Sequence, residues 1–452
     1  MANFLPSTVV HEEAEANESK SGLGQFQSSR ESQTAISGRQ TPAGKDPLRR
    51  LKRGYAVPAL CSLGEIPNAS APPGRRSYFP KVEAARAEEI QSAAKISKVP
   101  DVVLSPRSEI LRNTEANKIQ PFESYALERG LLKGKKLGEG AFAEVFSVPK
   151  IADLEPRVVK VVPFGGDIEW NGSKLHDYPE ILSEVLITSR LSNLRERGAE
   201  TEAGWESVTD GFIKLVGMFL VEGPFPKKLL KLWDQYDKKR KNGSENDRPD
   251  YFPDNQLYIC YEFEYGGQDM ESFVFPNAAS AVSAVKQVIA SLAVAEERLQ
   301  FEHRDLHLGN ILIQPCQEDE NFNFGTEVLP CPGIRTRIID YSLSRMYTDG
   351  RFVFNDVSED EDLFTGEGDP QFDVYREMRK CNNDNWRSYH PETNVMWIQF
   401  LLGKVLKGVG YKKRSGAEHR AVFEHVKEMQ KVAGSCSSAS DLLKRLAHLR
   451  SF

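Results

Sequence analysis

The chain has 452 residues, of which 40% are hydrophobic and 27% charged, with a formal net charge of -6. That length allows a large core and, on length alone, up to about three domains. No apolar run is expected to span a bilayer, and Met1-Ala2-Asn3-Phe4 opens no secretion signal. The cysteines Cys61, Cys260, Cys316, Cys331, Cys381 and Cys436 have neither metal-ligand spacing nor a disulfide framework, which suits a reducing compartment.

Residues 1–115 are poor in aromatics and rich in Ser, Gly, Pro, Ala and charge, so they are expected to be disordered. Within them Arg49-Arg50-Leu51-Lys52-Arg53 reads equally as a nuclear import signal, a nucleic-acid contact or a solvated charge run. Residues 116–452 read as one α+β unit. Its first motif is Leu137-Gly138-Glu139-Gly140-Ala141-Phe142-Ala143-Glu144-Val145, where two glycines and a small residue let a hairpin backbone close over phosphates. Next comes Val158-Val159-Lys160-Val161-Val162, an apolar strand in which an ammonium is costly without an anionic partner. The spacing of Pro179 to Leu191 predicts a helix whose Glu184 shares a stripe with Ile181, Ile187 and Leu191. Glu184 is the preferred partner of Lys160; Glu180, one turn earlier, is the rival or a first-turn acid.

Gly223 to Asp254, with Trp233, Tyr236 and Lys238-Lys239-Arg240-Lys241, reads as a long inserted loop. A strand, Tyr258 to Phe263, leads into Glu264-Tyr265-Gly266-Gly267-Gln268-Asp269, where backbone groups can meet an adenine and Gly-Gly turns the chain. Asp269 reads equally as a ribose ligand or as a helix cap. Ala281 to Ala295 predicts a buried helix capped by Ser280. Then comes His303-Arg304-Asp305-Leu306-His307-Leu308-Gly309-Asn310, running into the apolar strand Ile311-Leu312-Ile313, and later Ile338-Ile339-Asp340-Tyr341-Ser342.

A His-Arg-Asp with Asn five residues after the Asp is the catalytic-loop pattern of protein kinases. Phosphoryl transfer needs a carboxylate for the proton of the attacking hydroxyl, and an Asn and an Asp to hold magnesium against ATP. Asp305 suits the first role, and Asn310 and Asp340 the second. The chain departs from ordinary kinases at His307, at Asp340-Tyr341-Ser342 in place of Asp-Phe-Gly, and in lacking Ala-Pro-Glu. Instead it carries the acidic tract Asp356 to Asp369, which can attract a basic peptide or be a solvated loop.

The order of these motifs, with Asp362-Leu363-Phe364-Thr365-Gly366-Glu367-Gly368-Asp369 and Asn394-Val395-Met396-Trp397, closely resembles the haspin kinases from about Phe122 to the C-terminus. The resemblance implies a two-lobed kinase fold, with the small lobe about 122–263, the hinge 264–269 and the large lobe 270–452. It implies ATP and Mg2+ as cofactors and an activation segment folded without phosphorylation. It also implies phosphorylation of a threonine near the start of the histone H3 tail, on mitotic chromatin in the nucleus. Separately, the chain is expected to be a monomer with no membrane partner. Carried over, it makes Asp305 the catalytic base, with Lys160 and Glu184 placing the phosphates. Asn310 and Asp340 become the metal ligands; 137–145, 264–269, Tyr341 and Ser342 join the ATP site; Glu271, Glu367 and Asp369 meet the tail. Other readings are a small-molecule kinase of the aminoglycoside or choline type, and a silent pseudokinase.

Overall fold

The computed structural model describes residues 104–446, apart from 197–199, 202–203, 206, 318–319, 326 and 332. Most of the expected N-terminal region, the basic cluster at Arg49–Arg53 and Cys61 therefore lie outside the described residues. The last part of that region is folded, contrary to expectation. Pro106–Asn113 forms helix α1, with Ser105 as its cap and Pro in its first turn. Ile110 is fully buried against Ile181 and Val185. A helix of eight residues has little stability of its own, so this one exists by packing.

The small lobe is built on a six-stranded sheet. Its strands are β1 (Ile119–Pro121), β2 (Lys135–Gly140), β3 (Ala143–Val148), β4 (Arg157–Phe164), β5 (Leu215–Glu222) and β6 (Leu257–Glu264), in the order β1-β5-β6-β4-β3-β2. The β1–β5 pairing is parallel, and the other pairings are antiparallel. Alternation along β4 decides where Lys160 goes. Val159 and Val161 pack with Phe146 and Tyr258, whereas Val162 and Phe164 pack with Ile181 and Val185. Lys160 is in phase with the second set. It therefore lies on the face covered by α3 (Tyr178–Ser192), which follows the short helix α2 (Phe122–Glu128). Helix α3 starts at a capping box: Asp177 accepts from Glu180 N at 3.0 Å, and Glu180 accepts from Asp177 N at 2.7 Å.

The segment expected to be a long loop contains helix α4 (Lys227–Lys239), with Leu229 and Trp233 buried. Leu229 and Trp233 are four residues apart on one face, and lysines occupy the exposed side.

The large lobe is organised around α5 (Ala278–Leu299). Its 22 residues are long and apolar enough to cross a membrane, contrary to the expectation from sequence, but 89% of its apolar window is buried inside the protein. The cap is Asn277 rather than Ser280, and its Oδ1 accepts from Ser280 N at 2.9 Å. Helices α6 (Glu361–Thr365), α7 (Gln371–Cys381), α8 (Glu392–Lys407), α9 (Ala417–Ala433) and α10 (Ala439–Leu446) complete this lobe. On its cleft side β7 (Gln268–Asp269), β8 (Ile311–Pro315) and β9 (Ile334–Ile338) form a small antiparallel sheet. A hairpin of β10 (Arg345–Thr348) and β11 (Arg351–Phe354) follows. The five described cysteines are all free.

Candidate active site

The lysine strand and helix α3 meet as their burial patterns require. Lys160 Nζ lies 2.8 Å from Glu184 Oε1 and 3.7 Å from Asp340 Oδ1. Burial alone would favour a neutral amine, but Asp340 and Glu184 outweigh it and hold the ammonium form. Glu180 is excluded as the partner because its carboxylate is committed to the helix cap and to His176.

Asp340 follows the end of β9 in a left-handed conformation, with φ 62°. A non-glycine residue held there is mildly strained, which is common where a side chain must be aimed. Burial pushes its carboxyl up, yet Lys160 and the Ser342 amide bring it below the ordinary aspartate range. Asp305 behaves oppositely. Burial raises its pKa, and His307, the Tyr375 hydroxyl and Asn310 only partly offset that. Asn310 Nδ2 donates to Asp305 O at 2.8 Å and to Asp305 Oδ2 at 3.2 Å. Tyr375 donates its hydroxyl to Asp305 Oδ1. With Nδ2 of Asn310 so engaged, its carboxamide oxygen and the Asp340 carboxylate are the hard oxygen donors a magnesium ion takes. The residues present fit that ion.

His303 anchors the loop. It is fully buried, and burial lowers its pKa to about 4, so the ring is neutral. Nδ1 accepts from Asp305 N at 3.3 Å, which leaves Nε2 to donate to Ile339 O at 3.2 Å. One imidazole thus joins the backbone of Asp305 to the backbone beside Asp340.

Several expected ATP residues take other roles through their side chains. Glu139 accepts from Glu245 N at 2.8 Å, and Glu144 from Trp233 Nε1 at 3.2 Å, so neither carboxylate is offered to a ligand. Phe142 packs edge-on against His176. Glu264 is held by Arg337 at 2.7 Å and by the Lys214 amide at 3.2 Å. Tyr341 is buried, with its hydroxyl on Ile338 O at 2.8 Å; Ser342 is engaged through its backbone, whose carbonyl accepts from Asn355 Nδ2 at 2.9 Å. No helix follows Asp269, contrary to the cap reading; its carboxylate instead closes a turn, accepting from Ser272 N at 2.7 Å. Of the two hinge glycines, Gly267 is required by backbone space and Gly266 is packed closely against side chains. A Cβ on Gly266 would come 2.6 Å from Leu312 Cδ1, and one on Gly267 2.2 Å from Ile313 O, with φ at +100°. Tyr265 is half exposed beside them.

Of the three acids expected to meet a peptide, Glu271 and Glu367 are exposed. Asp369 is already paired with Lys404 at 2.7 Å and accepts from Gln371 N, at the start of α7, at 3.0 Å.

Sequence reasoning missed Glu302, which is fully buried and bonds Arg304 through two contacts of 3.2 Å. It also accepts from His390 N and Thr393 Oγ1, each at 3.0 Å. Arg304 further donates to Trp386 O at 2.7 Å and stacks over the Trp386 ring. Tyr375 and Asn394 were missed as well; Asn394 Oδ1 accepts from His303 N at 3.0 Å. Only Glu302, three residues before Asp305, gave a local signal, since a charge just after an apolar helix asks for a partner.

Replacing Lys160 by Met should lower kcat/KM for ATP about 100-fold, because misplaced phosphates lose alignment, with little change in circular dichroism. Unchanged kinetics would show that the ammonium does not meet the nucleotide.

A strand-built small lobe, a helical large lobe, and a lysine, glutamate, aspartate and Asp–Asn loop gathered between them define a protein-kinase-like domain. Comparison with known proteins gives the family. The model of the haspin-like kinase domain matches residues 87–449. The chain is 41% identical over 329 residues to the serine/threonine-protein kinase haspin of Mus musculus, covering 72% of this chain and 42% of that protein. It is 38% identical over 337 residues to the haspin homologue of Drosophila melanogaster, covering 73% and 58%. For the homologue of Arabidopsis thaliana the identity is 36% over 331 residues, covering 72% and 52%. The chain belongs to the haspin-like kinase family. It spans about half the length of the curated relatives it matches.

Proposed function

We propose that this chain transfers the terminal phosphoryl group of ATP to a serine or threonine hydroxyl of a protein. The observation that carries this reading is the pairing of a buried Asp305, held by Asn310 and Tyr375, with Lys160 set between Glu184 and Asp340. Asp305 accepts the proton of the attacking hydroxyl; its raised pKa makes it a better base than an exposed aspartate. Lys160 holds the nonreacting phosphates, and Glu184 keeps the lysine in place. Magnesium, held by Asn310 and Asp340, would offset charge on the transferred group.

The substrate is a basic peptide with a free amino end, the histone H3 tail, at mitotic chromosomes in the nucleus. Support comes from family membership and from the exposed carboxylates of Glu271 and Glu367. Asp369 joins them only if Lys404 gives way. Acetylating the peptide's amino end, or replacing its Arg or Lys by Ala, is expected to raise the peptide KM several-fold and leave the KM for ATP alone. Equal use of blocked and free peptides would move substrate recognition elsewhere. Turnover of an aminoglycoside or choline in place of peptide would indicate a small-molecule kinase, and no turnover of ATP a pseudokinase.

The activation segment is read as active without phosphorylation. Arg304, the arginine of the catalytic loop, is neutralised internally by Glu302 and offers no open charge to a phosphate. The β10–β11 hairpin is joined to that knot by the Glu302–Arg345 backbone bridge. Protein made in bacteria and treated with phosphatase is therefore expected to retain full activity. Activity that appears only after incubation with a second kinase would refute this.

A further inference from the structure

We infer that the segment inserted between β5 and β6 braces the glycine-rich hairpin, and that Glu144, Trp233 and Asn246 are positioning residues for the phosphates of ATP. The inference rests on the reading that this hairpin covers the nucleotide.

The hairpin pairs Glu139 directly opposite Glu144. Two carboxylates facing each other across a two-stranded ribbon repel, and such a ribbon is pliant by itself. Here both are buried. Lys136 lies between them, 3.0 Å from Glu139 and in direct contact with Glu144, with its ammonium 4.7 Å from the Tyr236 ring centre. Burial pushes Glu144 up to about 7 in spite of that lysine. A carboxyl kept in such a place at that desolvation cost is held there by specific donors.

Those donors come from the insertion. Trp233 Nε1 reaches Glu144 Oε1 at 3.2 Å, and Asn246 Nδ2 reaches the same oxygen at 3.1 Å. Asn246 Nδ2 also donates to Ala143 O at 3.2 Å. From a second segment, Asn171 Nδ2 donates to Ala141 O at 2.8 Å and to Asn246 Oδ1 at 3.0 Å. Both carbonyls flanking the tip residue Phe142 are thus tied. A trans peptide is planar, so fixing the Ala141 carbonyl fixes the direction of the Phe142 N–H in the same plane. The tip amide is set before any phosphate arrives, and the ordering cost of closing the loop falls on folding instead of on ATP binding.

The test uses the full chain and the variants Asn246→Ala, Trp233→Phe and Glu144→Gln. Trp233→Phe keeps an aromatic side chain without the donor, and circular dichroism and thermal unfolding of all three variants guard against simple misfolding. The expected result is a rise of about 5- to 10-fold in the KM for ATP and in the Kd of a nonhydrolysable ATP analogue, with peptide KM unchanged. Affinity for adenosine, which lacks phosphates, is expected to stay at the wild-type value. Equal weakening of adenosine and ATP, or unchanged ATP affinity in all three variants, would overturn the brace. Failure of the wild-type chain to bind ATP at all would instead overturn the functional reading on which the brace depends.

Discussion

Asp305→Asn is expected to lower kcat by about 100- to 10,000-fold while the protein stays folded and still binds ATP. The asparagine preserves shape and can still bond Asn310 and Tyr375, so what disappears is the ability to take a proton. Asp340→Asn should be equally severe through loss of the anionic metal donor, but with weakened metal-dependent ATP binding. Tyr375→Phe gives a graded control. The tyrosine hydroxyl bonds the charged form of Asp305 and lowers its pKa. Its removal should raise that pKa, moving the acid limb of the kcat profile to higher pH. An Asp305→Asn enzyme with wild-type turnover, or a Tyr375→Phe limb shifted toward lower pH, would remove Asp305 from the role of base.

Glu302→Ala should cost about 3–5 kcal/mol of folding stability, because it leaves Arg304 buried without its countercharge. The loss is read from urea or thermal unfolding against wild type. Glu302→Gln should cost much less, since an amide oxygen can still accept from Arg304, His390 N and Thr393. A loss below about 1 kcal/mol in the alanine variant would match an exposed ion pair and contradict the buried setting of this one.

The residues legible in the sequence are those whose chemistry is written in local spacing. Lys160 in a run of valines, Glu184 on an apolar stripe, and Asp305 with Asn310 five residues on all stand in place. Tyr375 could not be read, since it reaches Asp305 from 70 residues away through the packing of α7. Glu302, Asn394 and Trp386 are hidden for the same reason: their meaning is a partner distant in the chain. The α5 cap was misplaced because Asn277 and Ser280 are both good capping residues, three apart, and only geometry decides between them. Helix α1 escaped notice because Ile110 is its only buried residue. The glycine-rich loop was legible as a loop, but its acids face the insertion rather than a ligand, which no periodicity reveals.

Besides Lys160 with Asp340, two charge pairs tie the lobes together: Arg190 with Asp349, and Arg351 with Glu109 at 3.0 Å. The first joins α3 to the turn of the β10–β11 hairpin, and the second joins α1 to β11. A cleft that opens to let a spent nucleotide go must part both pairs, since each joins the small-lobe side to the β10–β11 hairpin. Such partly exposed pairs weaken with ionic strength. If the substrate is the basic peptide proposed above, salt then acts twice and with opposite sign, slowing its capture and hastening the departure of the spent nucleotide. The turnover number of this enzyme should accordingly rise with moderate salt at saturating peptide, even as its selectivity constant falls.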